Sequence, residues 1–125
     1  MGALFLRVAV VYLVIGVIFG MVIGIREQFQ FADVHAHINL LGWATLALAG
    51  LIYTIYPQAG NNKLAVVHFW LHNIGLPVFV VGLYLFYTPT GRGAIPIISS
   101  GAIVAILGII VFAINVLANV RQKPA

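Results

Sequence analysis

The sequence predicts an all-α integral membrane protein with four transmembrane helices in a single domain, residues 1–125. Three observations lead there. Hydrophobic residues make up 63% of the chain and charged residues 6%, far from the usage of a water-soluble domain. Scanned with a window of about 19 residues, the chain divides into four apolar stretches, each long enough to cross roughly 30 Å of hydrocarbon. Between them lie short connections rich in Gly, Pro, Asn and charge, the composition of turns.

The first span is expected over residues 3–25. Gly16, Gly20 and Gly24 recur every four residues and line one helical face, the pattern that lets a second backbone come close. Arg7 lies near enough to the end to extend its guanidinium to the headgroups, or faces an anionic group such as a cofactor carboxylate. The run continues to Ile25 without a small-x-small cleavage site, so it reads as a retained helix rather than a secretory signal. Leu6 stands where N-myristoylation would want Ser or Thr.

Arg26-Glu27-Gln28-Phe29-Gln30-Phe31 is a short polar connection with interfacial aromatics. The second span is expected over 33–56, with Asp33 as its N-cap or first-turn acid and Tyr53 and Tyr56 in the aromatic belt at its far end. Pro57 to Lys63 carries the breaking signals. The third span, 64–87, contains Pro77, which removes one intrahelical bond, and Gly75, which allows close approach beside it. The fourth, 94–120, accepts Pro96 in its first turn; Asn115 inside it needs a partner beyond its own helix, in packing or at a cofactor rim.

The formal charge of +4 comes from six Lys/Arg and two acids, scattered rather than clustered. No basic stripe exists, which excludes a nucleic-acid binder. The charges instead give orientation: Arg7, Lys63, Arg121 and Lys123 fall on the side of the termini, Arg26 and Arg92 with both acids on the other. Both termini are therefore expected to face the cytoplasm from a cytoplasmic (inner) membrane. The chain has no cysteine, which removes disulfides, thiolate ligands and covalent haem attachment; a metal must use nitrogen or oxygen, with Met1 and Met21 remote alternatives.

The four histidines all lie in the two middle spans. An imidazole in lipid is costly unless a metal, a charge or a hydrogen bond compensates it. His35 and His37 are two residues apart, about 200° around an α-helix, so they point to nearly opposite sides and cannot chelate one ion unless the helix is distorted. His68 and His72 are four apart and share a face, which suits two ligands to one small metal or a ligand and its supporting neighbour. Axial ligation of one haem requires ligands from different helices. The bland alternative is four neutral histidines bonding between helices, with Asp33, Asn39, Asn61, Asn62 and Asn73 as partners.

His35-Ala36-His37 followed by Leu40-Leu41-Gly42 resembles the catalytic subunit of the haem-copper oxidase superfamily, especially its nitric oxide reductase-like branch. Over about twenty residues of the second span, the resemblance implies that His35 stands for the ligand of the gas-binding high-spin haem and His37 for that of the low-spin haem. His68-Phe69-Trp70-Leu71-His72-Asn73 resembles the copper-ligand region more loosely. In that family twelve helices form three groups of four, so a four-helix chain implies a homotrimer imitating the twelve-helix core. A symmetric small chain cannot copy an asymmetric set of two haems and a copper, so the resemblance implies no particular turnover.

Together these expectations describe a haem-b-binding membrane protein, iron held by histidine, serving electron transfer or the binding of oxygen or nitric oxide, with a respiratory electron donor as partner. The ligands rank His37, His72, His35, His68. Arg7, Arg26 and Arg92 are candidate partners for haem propionates, and Trp43 and Trp70 stack on the macrocycle or pack between helices. Two alternatives use the same residues: a copper-binding membrane protein and a cofactor-free accessory subunit of a respiratory complex. No hydrolytic triad, carboxylate dyad or phosphate-cradling loop is present.

Overall fold

Gly2–Ile25 forms an unbroken helix, α1. It ends in a Schellman closure: Glu27 turns to φ 55°, while the Glu27 and Gln28 N–H groups donate to the carbonyls of Gly24 and Ile23 at 3.2 and 2.8 Å. The structure, a computed structural model, describes residues 1–89 and 91–122. Thr90 of the third turn and Lys123 of the basic tail lie outside the described residues.

The second span, α2 (Phe29–Ile55), is not the regular helix expected from its apolar pattern. It opens with a 3₁₀ turn, Phe29–Phe31, runs as α-helix over Ala32–His37, widens into π-helical turns over Ile38–Ala44 and returns to α-helix for Thr45–Ile55. The widening has a visible cause in the chain. The Leu40 carbonyl accepts both the backbone N–H of Thr45, five residues on, and the Thr45 hydroxyl at 2.8 Å. Gly42 presents no side chain there, and the Tyr12 ring of α1 fills the place where a Cβ would stand, 2.6 Å from its Cγ. Such π segments cost regular hydrogen bonding and tend to mark functional sites.

A single turn, Pro57–Gly60, leads to α3 (Lys63–Phe86), whose first turn is capped by the Asn62 side chain accepting from the Ala65 N–H at 3.0 Å. A 3₁₀ turn, Gly91–Ala94, feeds α4 (Ile95–Asn119), with Pro96 in the first turn as expected. All four spans are long and apolar enough to cross a bilayer, the character of an integral membrane protein.

Glycine sets how the helices meet. Gly16 of α1 lies against Asn39 and Gly20 against the His35 ring, as the four-residue repeat predicted, whereas Gly24 faces open space. Between α3 and α4 the backbones themselves touch: Gly75 lies over Ala105 and the Gly101 carbonyl, Gly101 over Phe79, and Gly108 over His72. The molecule is thus two tightly closed hairpins, α1–α2 and α3–α4. Within their apolar windows α2 and α3 bury 39% and 33% of residues, α1 and α4 only 17% each, so the two histidine-bearing helices form the centre.

These contacts make a paired prediction. Gly101→Ala places a methyl group against the Phe79 backbone, which cannot yield as a flexible side chain would, and should lower the stability of detergent-solubilised protein by roughly 1–3 kcal/mol. Gly24→Ala meets nothing within 4 Å and should be neutral or stabilising by up to about 1 kcal/mol. Thermal melting in detergent would compare them; equal melting temperatures would contradict the packing.

Candidate site: four imidazoles on the two central helices

The four histidines separate into two environments. On α2, His35 donates from Nδ1 to the Gly16 carbonyl of α1 at 2.8 Å, its ring wedged over Gly20. His37 donates from Nδ1 to the Asp33 carbonyl one turn back at 2.7 Å. A carbonyl only accepts, so each neutral ring carries its proton on Nδ1 and keeps the lone pair on Nε2. Among the described residues neither Nε2 finds a partner. That tautomer, anchored through Nδ1, is how proteins orient an imidazole for a metal.

The two rings leave the helix on different sides, as their spacing predicted. His35 faces α1, while His37 faces α3 and α4, its ring edge-on to Phe79 at 5.0 Å. In front of His37 is an apolar hollow of about 200 Å³ lined by Leu41, Phe79, Ala102, Ala105 and Ile106. The α-helical turn that holds His37 ends where the π segment begins, so its ring keeps regular helical orientation.

His68 and His72 lie inside the bundle, 0% and 1% exposed. His72 donates from Nε2 to the Leu41 carbonyl in the π segment at 2.8 Å. His68 meets the Tyr53 hydroxyl through Nδ1 at 2.8 Å and stacks on Phe112 with ring centres 4.8 Å apart. Phe5 closes the other side at 4.9 Å. Both residues therefore spend one nitrogen on a bond between α2 and α3, the interhelical role open to a neutral histidine.

Of two further residues in this interior, Tyr53 departs from its expected place and Asn115 takes one of the two roles expected of it. Tyr53, expected in the aromatic belt, is 2% exposed at the centre of an aromatic cluster, because its hydroxyl finds His68 there. Asn115 satisfies itself completely: its amide donates to the Ala59 carbonyl at 2.9 Å and toward Tyr53 Oη at 3.4 Å, and its oxygen accepts from Asn62 and Asn119 at 2.8 and 2.9 Å. It acts in packing. Among the described residues, the buried side-chain atoms left without partners are Asn39 Oδ1, His68 Nε2, His72 Nδ1 and Asn73 Oδ1.

The remaining candidates lie apart from one another. Trp70 is 58% exposed with its ring edge against Phe69, and Trp43 is half-buried against the Phe5–Tyr53 cluster; neither lines the hollow at His37. Arg7, Arg26 and Arg92 are exposed, Arg26 and Arg92 in the turns at the His37 end and Arg7 toward the opposite end of α1. Among the described residues no three of His, Asp or Glu converge on a common point as a metal nest. No protein-family model, curated protein or solved structure matches the chain.

Asp33 ties the His37 turn to the α3–α4 connection. Its Oδ2 accepts from the Tyr87 hydroxyl at 2.6 Å, and that bond, with some burial and the carboxylate charge, raises the Tyr87 phenol above its ordinary pKa. The bond is present below the ordinary value of about 10 and is lost as pH climbs through the raised one. In ¹³C-tyrosine NMR, Tyr87 should titrate above that value and return toward it in Asp33→Asn. An unshifted Tyr87 in the unmodified protein would contradict the contact.

Proposed function

We propose that this protein binds haem b in the membrane, with His37 Nε2 as the iron ligand, for electron transfer or the binding of a diatomic gas. The single observation that carries the proposal is the Nδ1 anchoring of His37, which leaves Nε2 bare on a ring that lines an apolar hollow. His35 offers a second nitrogen of the same kind on the other side of α2. His72 and His68, although expected among the ligands, have a nitrogen each engaged within the bundle and no space beside them for a macrocycle.

Ligand number favours haem over copper. Porphyrin supplies four nitrogens to its iron and asks the protein for one or two, whereas a protein-built copper site needs several imidazoles together. The dispersed histidines meet the first demand. The accessory-subunit alternative accounts for His68 and His72 but gives the free Nε2 atoms of His35 and His37 no task.

The hollow at His37 is too small for a porphyrin, since ordinary ligand pockets run to roughly 300–1,000 Å³. The macrocycle would lie across the surface of α2, α3 and α4 and be covered by another copy of the chain. A homotrimer of twelve helices, as the haem-copper oxidase resemblance implies, provides that cover. Arg26 and Arg92, in the turns at the His37 end, would be the partners of the propionates. When bound, the iron would supply one-electron exchange or a site for oxygen or nitric oxide. In this reading, from the short-loop charges, both termini face the cytoplasm, and a respiratory donor would reduce the iron from within the membrane.

The test is an optical spectrum of haem-supplied protein purified in mild detergent. A Soret band is expected, and His37→Ala should lose most of it or convert a low-spin spectrum to high-spin. Colourless, fully assembled protein would overturn the proposal; stoichiometric copper without haem would replace it with the copper reading.

A further inference from the structure

His68 Nε2 and His72 Nδ1 are both buried and both unpartnered, one turn apart on the same face of α3, with ring centres 5.4 Å apart at 64°. Two orphaned nitrogens on neighbouring rings in a membrane interior call for an explanation, because burial makes an unmade hydrogen bond costly. Their proton states follow from what each ring already touches.

The Leu41 carbonyl can only accept, so His72 carries its proton on Nε2 and its Nδ1 is a bare acceptor. For His68 the reasoning passes through Tyr53. The other hydrogen-bond partner of Tyr53 Oη besides His68 is the Asn115 amide nitrogen at 3.4 Å, which can only donate. The phenolic hydrogen therefore goes to His68 Nδ1 at 2.8 Å, and His68 carries its own proton on Nε2. One orphan is a donor and the other an acceptor.

We propose that a single buried water molecule bridges the two histidines, accepting from His68 Nε2–H and donating to His72 Nδ1. The neighbouring rings offer one donor and one acceptor, the pair a bridging water uses, within a cluster otherwise closed by Phe5 and Phe112. A metal ion fits worse. It would require a bare Nε2 on His68, hence a proton on Nδ1 pointing at Tyr53, and the phenolic hydrogen would then face only the Asn115 donor. Direct closure of the two rings is opposed by the stacking that fixes His68 and by the bond that fixes His72.

With the water in place, one hydrogen-bonded line runs from the α2–α3 turn into the middle of the membrane. It passes from Asn62 and Asn119 through Asn115, Tyr53, His68, the water and His72 to the Leu41 carbonyl. That carbonyl belongs to the π segment which follows His37, so the water helps hold the distorted part of α2. The inference stands independently of whether iron binds at His37.

Solid-state NMR of ¹⁵N-histidine protein in lipid bilayers, with polarisation transferred from water, tests it. The expected result is water transfer to a protonated Nε2 of His68 and an unprotonated, hydrogen-bonded Nδ1 of His72. Tyr53→Phe should weaken the transfer to His68 by allowing its proton onto Nδ1. The proposal is overturned if neither nitrogen receives water polarisation in the unmodified protein, if the two rings bond directly, or if bound zinc or copper shifts both nitrogens.

Discussion

Hydrocarbon offers no hydrogen bonds, so each imidazole in this chain must be answered by another part of the protein, and the answers given to the four differ. Backbone carbonyls answer three of them and a tyrosine hydroxyl the fourth. Which nitrogen is used decides what is left. On His35 and His37 the bond falls on Nδ1 and leaves Nε2, the nitrogen farther from the backbone, available outward; on His68 and His72 the leftover nitrogens are sealed inside.

The glycine contacts make this arrangement reachable. Because α1 carries Gly16 and Gly20 where α2 crosses it, the His35 ring can lie on the α1 backbone and reach the Gly16 carbonyl. Because α3 and α4 meet at Gly75, Gly101 and Gly108, His72 is pressed from behind and its ring extends toward α2. There the π segment presents the Leu41 carbonyl to it. Packing, backbone distortion and tautomer are consequences of one another here.

Much of this was legible in the sequence, for identifiable reasons. Span lengths follow from hydrocarbon thickness, so helices expected at 3–25, 33–56, 64–87 and 94–120 are found close to those limits. The divergence of His35 and His37 follows from helical geometry and survives because both precede the π segment. Less was legible where a residue's role depends on a partner far along the chain. The local marks of the π segment Ile38–Ala44 are Thr45 and Gly42, and the meaning of Gly42 depends on Tyr12 of another helix. Tyr53 reads as an interfacial aromatic until His68, fifteen residues on, is brought against its hydroxyl. The seven-residue spacing of Gly75 and Gly82 and of Gly101 and Gly108 is visible in the chain, but that the two pairs face each other is a fact of folding.

The central claim is that α2 holds its two imidazoles as Nδ1–H tautomers with Nε2 bare. Nitrogen-15 shifts of the histidine side chains in cofactor-free protein test it most directly, since protonated and bare ring nitrogens are far apart in shift. The expected pattern is a protonated Nδ1 and bare Nε2 for His35 and His37, reversed for His72. A proton found on His37 Nε2 would leave iron no ligand there and would contradict the claim.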